Sequence, residues 1–332
     1  MKESWMIVFY AFIMIKQYLC VDDHIENYLS IKNTYPTSVT LSFDKSYYAV
    51  NDIVTITLAI VPNTLLIGKL FYQIDTNEQI ESLLDENNKT SFKAKAGKYE
   101  FFYSQYCNTP TTKIDELMIS FDKRVNVDSF NSLFEAIKEK NTIIQLDSDI
   151  IIEKNDQNDQ YDQYEKRLNI TGQIVLDLNS HSLQFENKMT KNYMLLYVYG
   201  NVTIVDDSKD KKGLLNATKG GYYAITVYDG GNLTIEGGSF HGATTAIQVK
   251  EGNAYLKGGY YWAEPYEGDY IFTINCIDGY YANKTANFYI SGGTYMNYDP
   301  SNSYSENPKT SFVVDGFFSF GQIDHDGNTF LI

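Results

Sequence analysis

Between Asn141 and Tyr295 the chain repeats one pattern of apolar and polar positions. Each copy starts on Asn or Gln and runs into alternating apolar side chains: Asn141-Thr-Ile-Ile, Gln173-Ile-Val-Leu, Asn201-Val-Thr-Ile, Asn232-Leu-Thr-Ile, Asn253-Ala-Tyr-Leu and Asn287-Phe-Tyr-Ile. The starts lie 32, 28, 31, 21 and 34 residues apart. Recurrence at this length marks a solenoid, and the period-2 alternation predicts that its rungs are strands. A second strand precedes most copies, at Leu196-Tyr-Val-Tyr199, Ile225-Thr-Val-Tyr228, Ile247-Gln-Val-Lys250 and Phe272-Thr-Ile-Asn275. Three copies close on a Gly-Gly turn and an aromatic: Ile235-Glu-Gly-Gly-Ser-Phe240, Leu256-Lys-Gly-Gly-Tyr-Tyr261 and Ile290-Ser-Gly-Gly-Thr-Tyr295. Two or three short strands per repeat with glycine corners predict a parallel β-helix. The recurrent Asn is expected at one corner of every coil, taking the awkward backbone conformation and passing amide hydrogen bonds to the Asn above and below.

Upstream the alternation continues without a repeat. Leu41 and Phe43, then Val54, Ile56, Leu58 and Ile60, and further segments at 70–74, 91–94, 99–103 and 117–121 predict some six short strands, the pattern of a β-sandwich. Between the two regions Phe130, Leu133, Phe134 and Ile137 fall at helical spacing behind the caps Asp128 or Ser129. This helix, 129–139, is expected to cover the open first coil and its unpaired strand groups.

The run Leu168-Asn-Ile-Thr-Gly-Gln-Ile-Val-Leu-Asp-Leu-Asn-Ser-His-Ser-Leu183, with Gly200-Asn-Val-Thr-Ile and Gly231-Asn-Leu-Thr-Ile-Glu-Gly-Gly-Ser-Phe, resembles the right-handed parallel β-helix family with the pectin-lyase-like fold. More narrowly it is similar to the non-catalytic surface and phage-associated members of that family, with Ser180 standing where they have glycine. The tail Thr310-Ser-Phe-Val-Val-Asp-Gly-Phe-Phe318 resembles their C-terminal cap. The stretch Phe43 to Thr57, with Ala96-Gly-Lys-Tyr99, resembles the Ig-like spacer domains of bacterial and archaeal surface proteins, with Asn51 in place of a turn glycine. Pattern and resemblance together imply an all-β chain. Its expected parts are an Ig-like β-sandwich over 36–125, a right-handed parallel β-helix over 126–308 capped by the short helix, and a C-terminal cap over 309–332.

Charge and composition narrow the partners. A net charge of −15 with only Arg124 and Arg167 as arginines argues against nucleic acid and anionic membranes. The apolar run Met6–Ile15 behind Lys2 reads as a signal peptide or N-terminal anchor within residues 1–20, and no other stretch is long and apolar enough to span a bilayer. A secreted or cell-surface location is therefore expected. Three cysteines, Cys20, Cys107 and Cys276, cannot build a disulfide framework. The polar, low-complexity segment 153–165 reads as a solvated insertion rather than a calcium loop. Sequons at Asn88, Asn169, Asn201, Asn216, Asn232 and Asn283 are candidate glycosylation sites, although Asn201 and Asn232 already have a structural role in the corner column.

Candidate chemistry lies on the outward positions. Alternation places Tyr197, Thr226, Gln248 and Thr273 in one column and Tyr199, Tyr228, Lys250 and Asn275 in the next. The tentative ligand-binding set is Tyr197, Tyr199, Thr226, Tyr228, Gln248, Lys250 and Asn275, flat aromatic faces beside amide and hydroxyl donors that suit sugar rings. The same tyrosines can equally form a ladder that only stabilises the sheet. No catalytic residue, metal ligand set or cofactor is assigned. Asp206 and Asp207 are adjacent and should point apart, Glu236 and Lys257 should form a surface ion pair, and the histidines His24, His181, His241 and His325 show no ligand spacing. The resemblance implies an adhesin-like protein presenting a rigid solenoid to a glycan or cell-surface partner. Its alternatives are a polysaccharide lyase or glycoside hydrolase of the same fold, and a phage or virion fibre.

Overall fold

A computed structural model describes residues 38–61, 68–104, 111–152, 167–185, 193–218, 221–264, 272–303, 310–324 and 327–332. The leader, the segment 153–165, Cys20, Cys107, His24 and His325 lie outside these residues. The chain is all-β and divides into two units after Ser120.

The first unit is antiparallel. Strands β1 (Ser38–Phe43), β2 (Ile53–Val61), β3 (Lys69–Ile74), β4 (Ile80–Ser82), β5 (Lys89–Lys93), β6 (Gly97–Ser104) and β7 (Thr112–Ile119) form two sheets, of order β1-β2-β5 and β4-β3-β6-β7. Their alternation is the cause of the core. Val54 and Ile56 of the first sheet and Tyr99, Phe101 and Ile119 of the second bury the same face in one cluster. Asn51 takes the left-handed turn that glycine would otherwise supply, with φ 74°.

The second unit opens with β8 (Lys123–Val127) and helix α1 (Phe130–Ala136). Ser129 caps the helix through its Oγ and Ser132 answers through its own side chain, a capping box. Leu133, Ala136 and Ile137 of the apolar stripe join the core of this unit. Successive coils follow: β9 (Thr142–Leu146) and β10 (Ile150–Ile152); β11 (Asn169–Ile170), β12 (Gln173–Asp177) and β13 (Ser182–Phe185); β14 (Tyr193–Val198), β15 (Asn201–Val205) and β16 (Leu214–Asn216); β17 (Gly221–Val227), β18 (Gly231–Ile235) and β19 (Ser239–Gly242). Then come β20 (Thr245–Val249), β21 (Gly252–Ala263), β22 (Ile274–Cys276), helix α2 (Asp278–Ala282) and β23 (Ala286–Met296). Each strand pairs in parallel with its counterpart in the next coil. One five-stranded sheet runs β11-β14-β17-β20-β22. The larger sheet is curled, because β21 is long enough to pair β18 with its first half and β19 with its second. This solenoid-like arrangement is compatible with a parallel β-helix. The parallel order ends where β24 (Phe320–Asp324) and β25 (Gly327–Leu331) pair antiparallel and β25 closes on β23.

The repeated sequence motifs have distinct structural jobs. Gln173, Asn201, Asn232, Asn253 and Asn287 stand in register. Asn232 Nδ2 donates to Asn201 Oδ1 (3.1 Å), Asn253 to Asn232 (2.9 Å) and Asn287 to Asn253 (3.2 Å). The expected amide ladder is present, but one detail differs. Of the corner Asn residues only Asn141 has positive φ (56°); ahead of Asn232, Asn253 and Asn287 the left-handed turn falls on Asp229 and Gly230, on Gly252 and on Lys284. Asn201, Asn232, Asn253 and Asn287 themselves lie within strands. The Gly-Gly-aromatic motif turns its ring inward. Phe240, Tyr261 and Tyr295 stack at centroid distances of 5.4 and 4.8 Å. Tyr261 and Tyr295 each donate from Oη to the first glycine's carbonyl in their own turn, Gly258 (2.6 Å) and Gly292 (3.0 Å). A buried hydroxyl is thus satisfied without leaving the coil.

Candidate functional site

On the five-stranded sheet Leu196, Val198, Ile225, Val227, Ile247 and Val249 point into the core, which turns the alternate residues outward. The first outward column is Tyr197, Thr226, Gln248 and Asn275. Here the register departs from the sequence pattern, which puts Thr273 beside Gln248 and Asn275 beside Lys250. Cys276 rather than Ile274 faces Val249, so β22 is shifted by two residues. Thr273 is buried and its Oγ1 donates to the Met296 carbonyl (3.0 Å).

This first column is not the open surface that alternation suggests. Tyr197, Thr226 and Gln248 are 3%, 0% and 5% exposed. The Arg167 guanidinium lies 5.2 Å above the Tyr197 ring, and Tyr228 stacks diagonally on Tyr197 at 6.1 Å. Thr226 is short and shaded by these taller neighbours. In the next column Tyr199 and Tyr228 stack at 5.5 Å and 18°, and Lys250 Nζ sits 5.3 Å over the Tyr228 ring. Burial pushes the Tyr228 hydroxyl up to about 12 and raises that of Tyr199. The ring faces of this strip are turned on one another along the coil axis.

On the face that follows the Asn corner, Thr203, Thr234, Tyr255 and Tyr289 form an outward column, and Tyr255 and Tyr289 stack at 5.0 Å and 13°. Beside it Lys257 Nζ and Glu236 Oε1 meet at 3.2 Å, the expected ion pair. Asp177, in an earlier coil, is buried, and that burial raises its carboxyl pKa. Asn179 N and Asp207 N both donate to its Oδ1 (each 3.0 Å) and Arg124 Nη1 stands 4.0 Å from Oδ2. A carboxyl whose folded pKa is raised contributes stability below its unfolded value and loses it as pH climbs through the raised one. Asp177→Asn keeps an acceptor for both amides and removes the buried charge. Thermal melts are therefore expected to match the parent near pH 3 and to rise above it at pH 7. A lower melting point at pH 7 would mean that the Arg124 pairing outweighs desolvation.

Asp206 and Asp207 do diverge. The Asp206 carboxylate accepts from Ser180 N (3.0 Å), Ser208 N (3.3 Å), Ser208 Oγ (2.5 Å) and Gly213 N (2.6 Å), which fixes a corner of the coil. Ser180 has φ 63°, in the left-handed region that favours glycine. His181 Nδ1 lies 3.6 Å from Asp149 Oδ1 at the same corner. No group of three His, Cys, Asp or Glu converges among the described residues.

The sequence pattern missed a column on the third face. Gln184, Asn216, His241 and Trp262 are in register across consecutive coils, all half-buried. His241 meets Trp262 edge-on at 5.4 Å and 62°, and Tyr260 at 6.0 Å and 59°. Burial lowers the His241 pKa, which favours the neutral ring. Counting three residues past the second glycine of each Gly-Gly turn finds both His241 and Trp262.

No family model, curated protein or solved structure matches this chain.

Proposed function

We propose that the chain is a secreted or cell-surface, adhesin-like protein in which an Ig-like sandwich carries a right-handed parallel β-helix, and that the outer surface of the helix binds carbohydrate. The observation that carries this reading is the coil-by-coil register of aromatic and amide side chains on outward positions, an arrangement suited to an extended polymer of sugar rings. The tyrosine strip serves in this reading as a stiffening ladder, since its ring faces are spent on one another. A glycan array probed with the parent and with Tyr199→Ala/Tyr228→Ala tests both parts. Binding by the parent is expected, retained by the double variant, with stability lowered by about 1–3 kcal/mol for two lost stacking contacts. Binding lost at unchanged stability would make the strip the recognition surface instead. Surface proteolysis of intact cells tests the location, and recovery from cytosol alone would favour the virion-fibre reading.

One observation favours a second reading, a hydrolase or lyase: a buried carboxyl of raised pKa, Asp177, near Arg124. Release of reducing or unsaturated ends from polysaccharide, abolished in the folded Asp177→Asn variant, would establish it.

A further inference from the structure

The outer surface holds two kinds of in-register column, and they differ in what their polar groups do. At the Asn corner, amides one coil apart are spent on one another. In the column Gln184, Asn216, His241 and Trp262 they are not. Among the described residues the Gln184 amide, the Asn216 Nδ2 and the His241 ring nitrogens make no hydrogen bond, while Asn216 Oδ1 accepts from Thr218 N (3.0 Å) and Oγ1 (2.7 Å) and so fixes which way the amide points. The aromatic geometry differs in the same sense. The outward pairs Tyr199–Tyr228 and Tyr255–Tyr289 are near parallel at 18° and 13°, which covers their faces. Trp262 meets one ring, His241, at 62°, so the indole keeps a face that no aromatic stacks on among the described residues. Hydrogen-bonding capacity and an indole face free of aromatic stacking among the described residues therefore coincide in one half-buried strip.

We infer that the strip Gln184, Asn216, His241 and Trp262 is a saccharide-binding face that takes an uncharged pyranose chain laid along the coil axis. A sugar ring packs its C–H face on Trp262, and hydroxyls of the following rings bond to His241, Gln184 and Asn216, whose sequon is unglycosylated in this reading. This deepens the carbohydrate-binding reading and rests on it. The length fits a short oligosaccharide, because four rungs span three spacings of about 4.8 Å each. The charge fits an uncharged one. The adjoining column, Ser182, Leu214, Ser239, Tyr260 and Thr294, carries no cation, the carboxylates Asp149, which accepts from Ser182 N, and Glu264, two residues past Trp262, flank the strip, and a chain of net charge −15 repels polyanions.

The chain has two tryptophans, Trp5 and Trp262, so Trp5→Phe leaves the strip's own indole as the sole reporter. That variant is titrated with cellohexaose, xylohexaose and mannohexaose, and with hexagalacturonate as a charged comparator. A saturable change in Trp262 emission is expected for at least one uncharged hexaose and none for hexagalacturonate. His241→Ala and Gln184→Ala, checked for an unchanged melting point, are expected to weaken binding roughly tenfold, about the effect of one lost contact of 1.4 kcal/mol. If the array detects an uncharged glycan while Trp262 emission stays constant and both variants bind like the parent, the strip is wrong and the broader reading survives. If no uncharged glycan binds the array or moves the emission, both fall. A response to hexagalacturonate alone overturns the proposed ligand class.

Discussion

An Asp206→Ala chain is expected to lose roughly 3–5 kcal/mol of stability. The Ser180, Ser208 and Gly213 amides and the Ser208 hydroxyl all aim at that carboxylate, and each buried donor left unpaired costs about 1–3 kcal/mol before water recovers part of it. Gly213 N is fully committed, since its bond to Oδ2 lies in the interior. Asp206→Asn separates charge from geometry. Its amide oxygen can serve the three donors on Oδ1, but its NH2 then faces the Gly213 N–H, so an intermediate loss is expected. Urea unfolding followed by far-UV circular dichroism gives both values, and a melting point unchanged in Asp206→Ala would show that the corner is held by something else. The consequence for function is practical. Loss of activity in an Asp206 variant cannot diagnose catalysis, whereas Glu236→Gln disturbs only a surface ion pair with Lys257 and can.

The unequal legibility of the chain has physical causes. The Asn ladder was readable because a corner constrains residue type in every coil; the aromatics Phe240, Tyr261 and Tyr295 showed as a repeat for the same reason, but their inward stacking is seen only in the structure. The shift of β22 was not readable, since an alternating strand moved by two residues keeps the same faces in and out. Only the pairing of Ile274 with Ile247 distinguishes the registers, and the long connection after β21 hides it. Exposure of Tyr197, Thr226 and Gln248 failed for another reason, while Tyr199 and Tyr228 stay half-exposed. Alternation states which side of the sheet a residue leaves from, not what then lies over it, and Arg167 reaches Tyr197 from the segment that leads into β11. The column of Gln184, Asn216, His241 and Trp262 escaped because its members share position but not chemistry. Outward residues are free to vary, so they write no repeat.

Gly252→Ala is expected to be strongly damaging for a single added methyl, because it combines a backbone clash with a left-handed conformation. Gly252 lies at the Asn corner with φ 126°, a conformation open to glycine and strained for any L side chain, and an added Cβ would fall 2.2 Å from the Gly231 carbonyl oxygen of the preceding coil. That oxygen belongs to a strand in the same parallel ladder and cannot move without breaking register with Gly252 itself. Strain of about 1–3 kcal/mol therefore adds to a backbone clash, for a loss of roughly 3 kcal/mol or more, a large share of the about 5–15 kcal/mol that ordinarily holds a domain folded. Two further glycines separate the terms. Gly230→Ala meets nothing within 4 Å but has φ 82°, so it isolates the left-handed penalty of about 1–2 kcal/mol. Gly279→Ala, in α2 with nothing nearby and no positive φ, is expected to be neutral or to stabilise by about 0.5–1 kcal/mol through helix propensity. Chemical denaturation of the three variants should rank Gly252 well below Gly230, and Gly230 below Gly279. Equal losses at Gly252 and Gly230 would mean that the coils part without cost at this corner, and with that result the close stacking that aligns the Asn ladder would have to be abandoned.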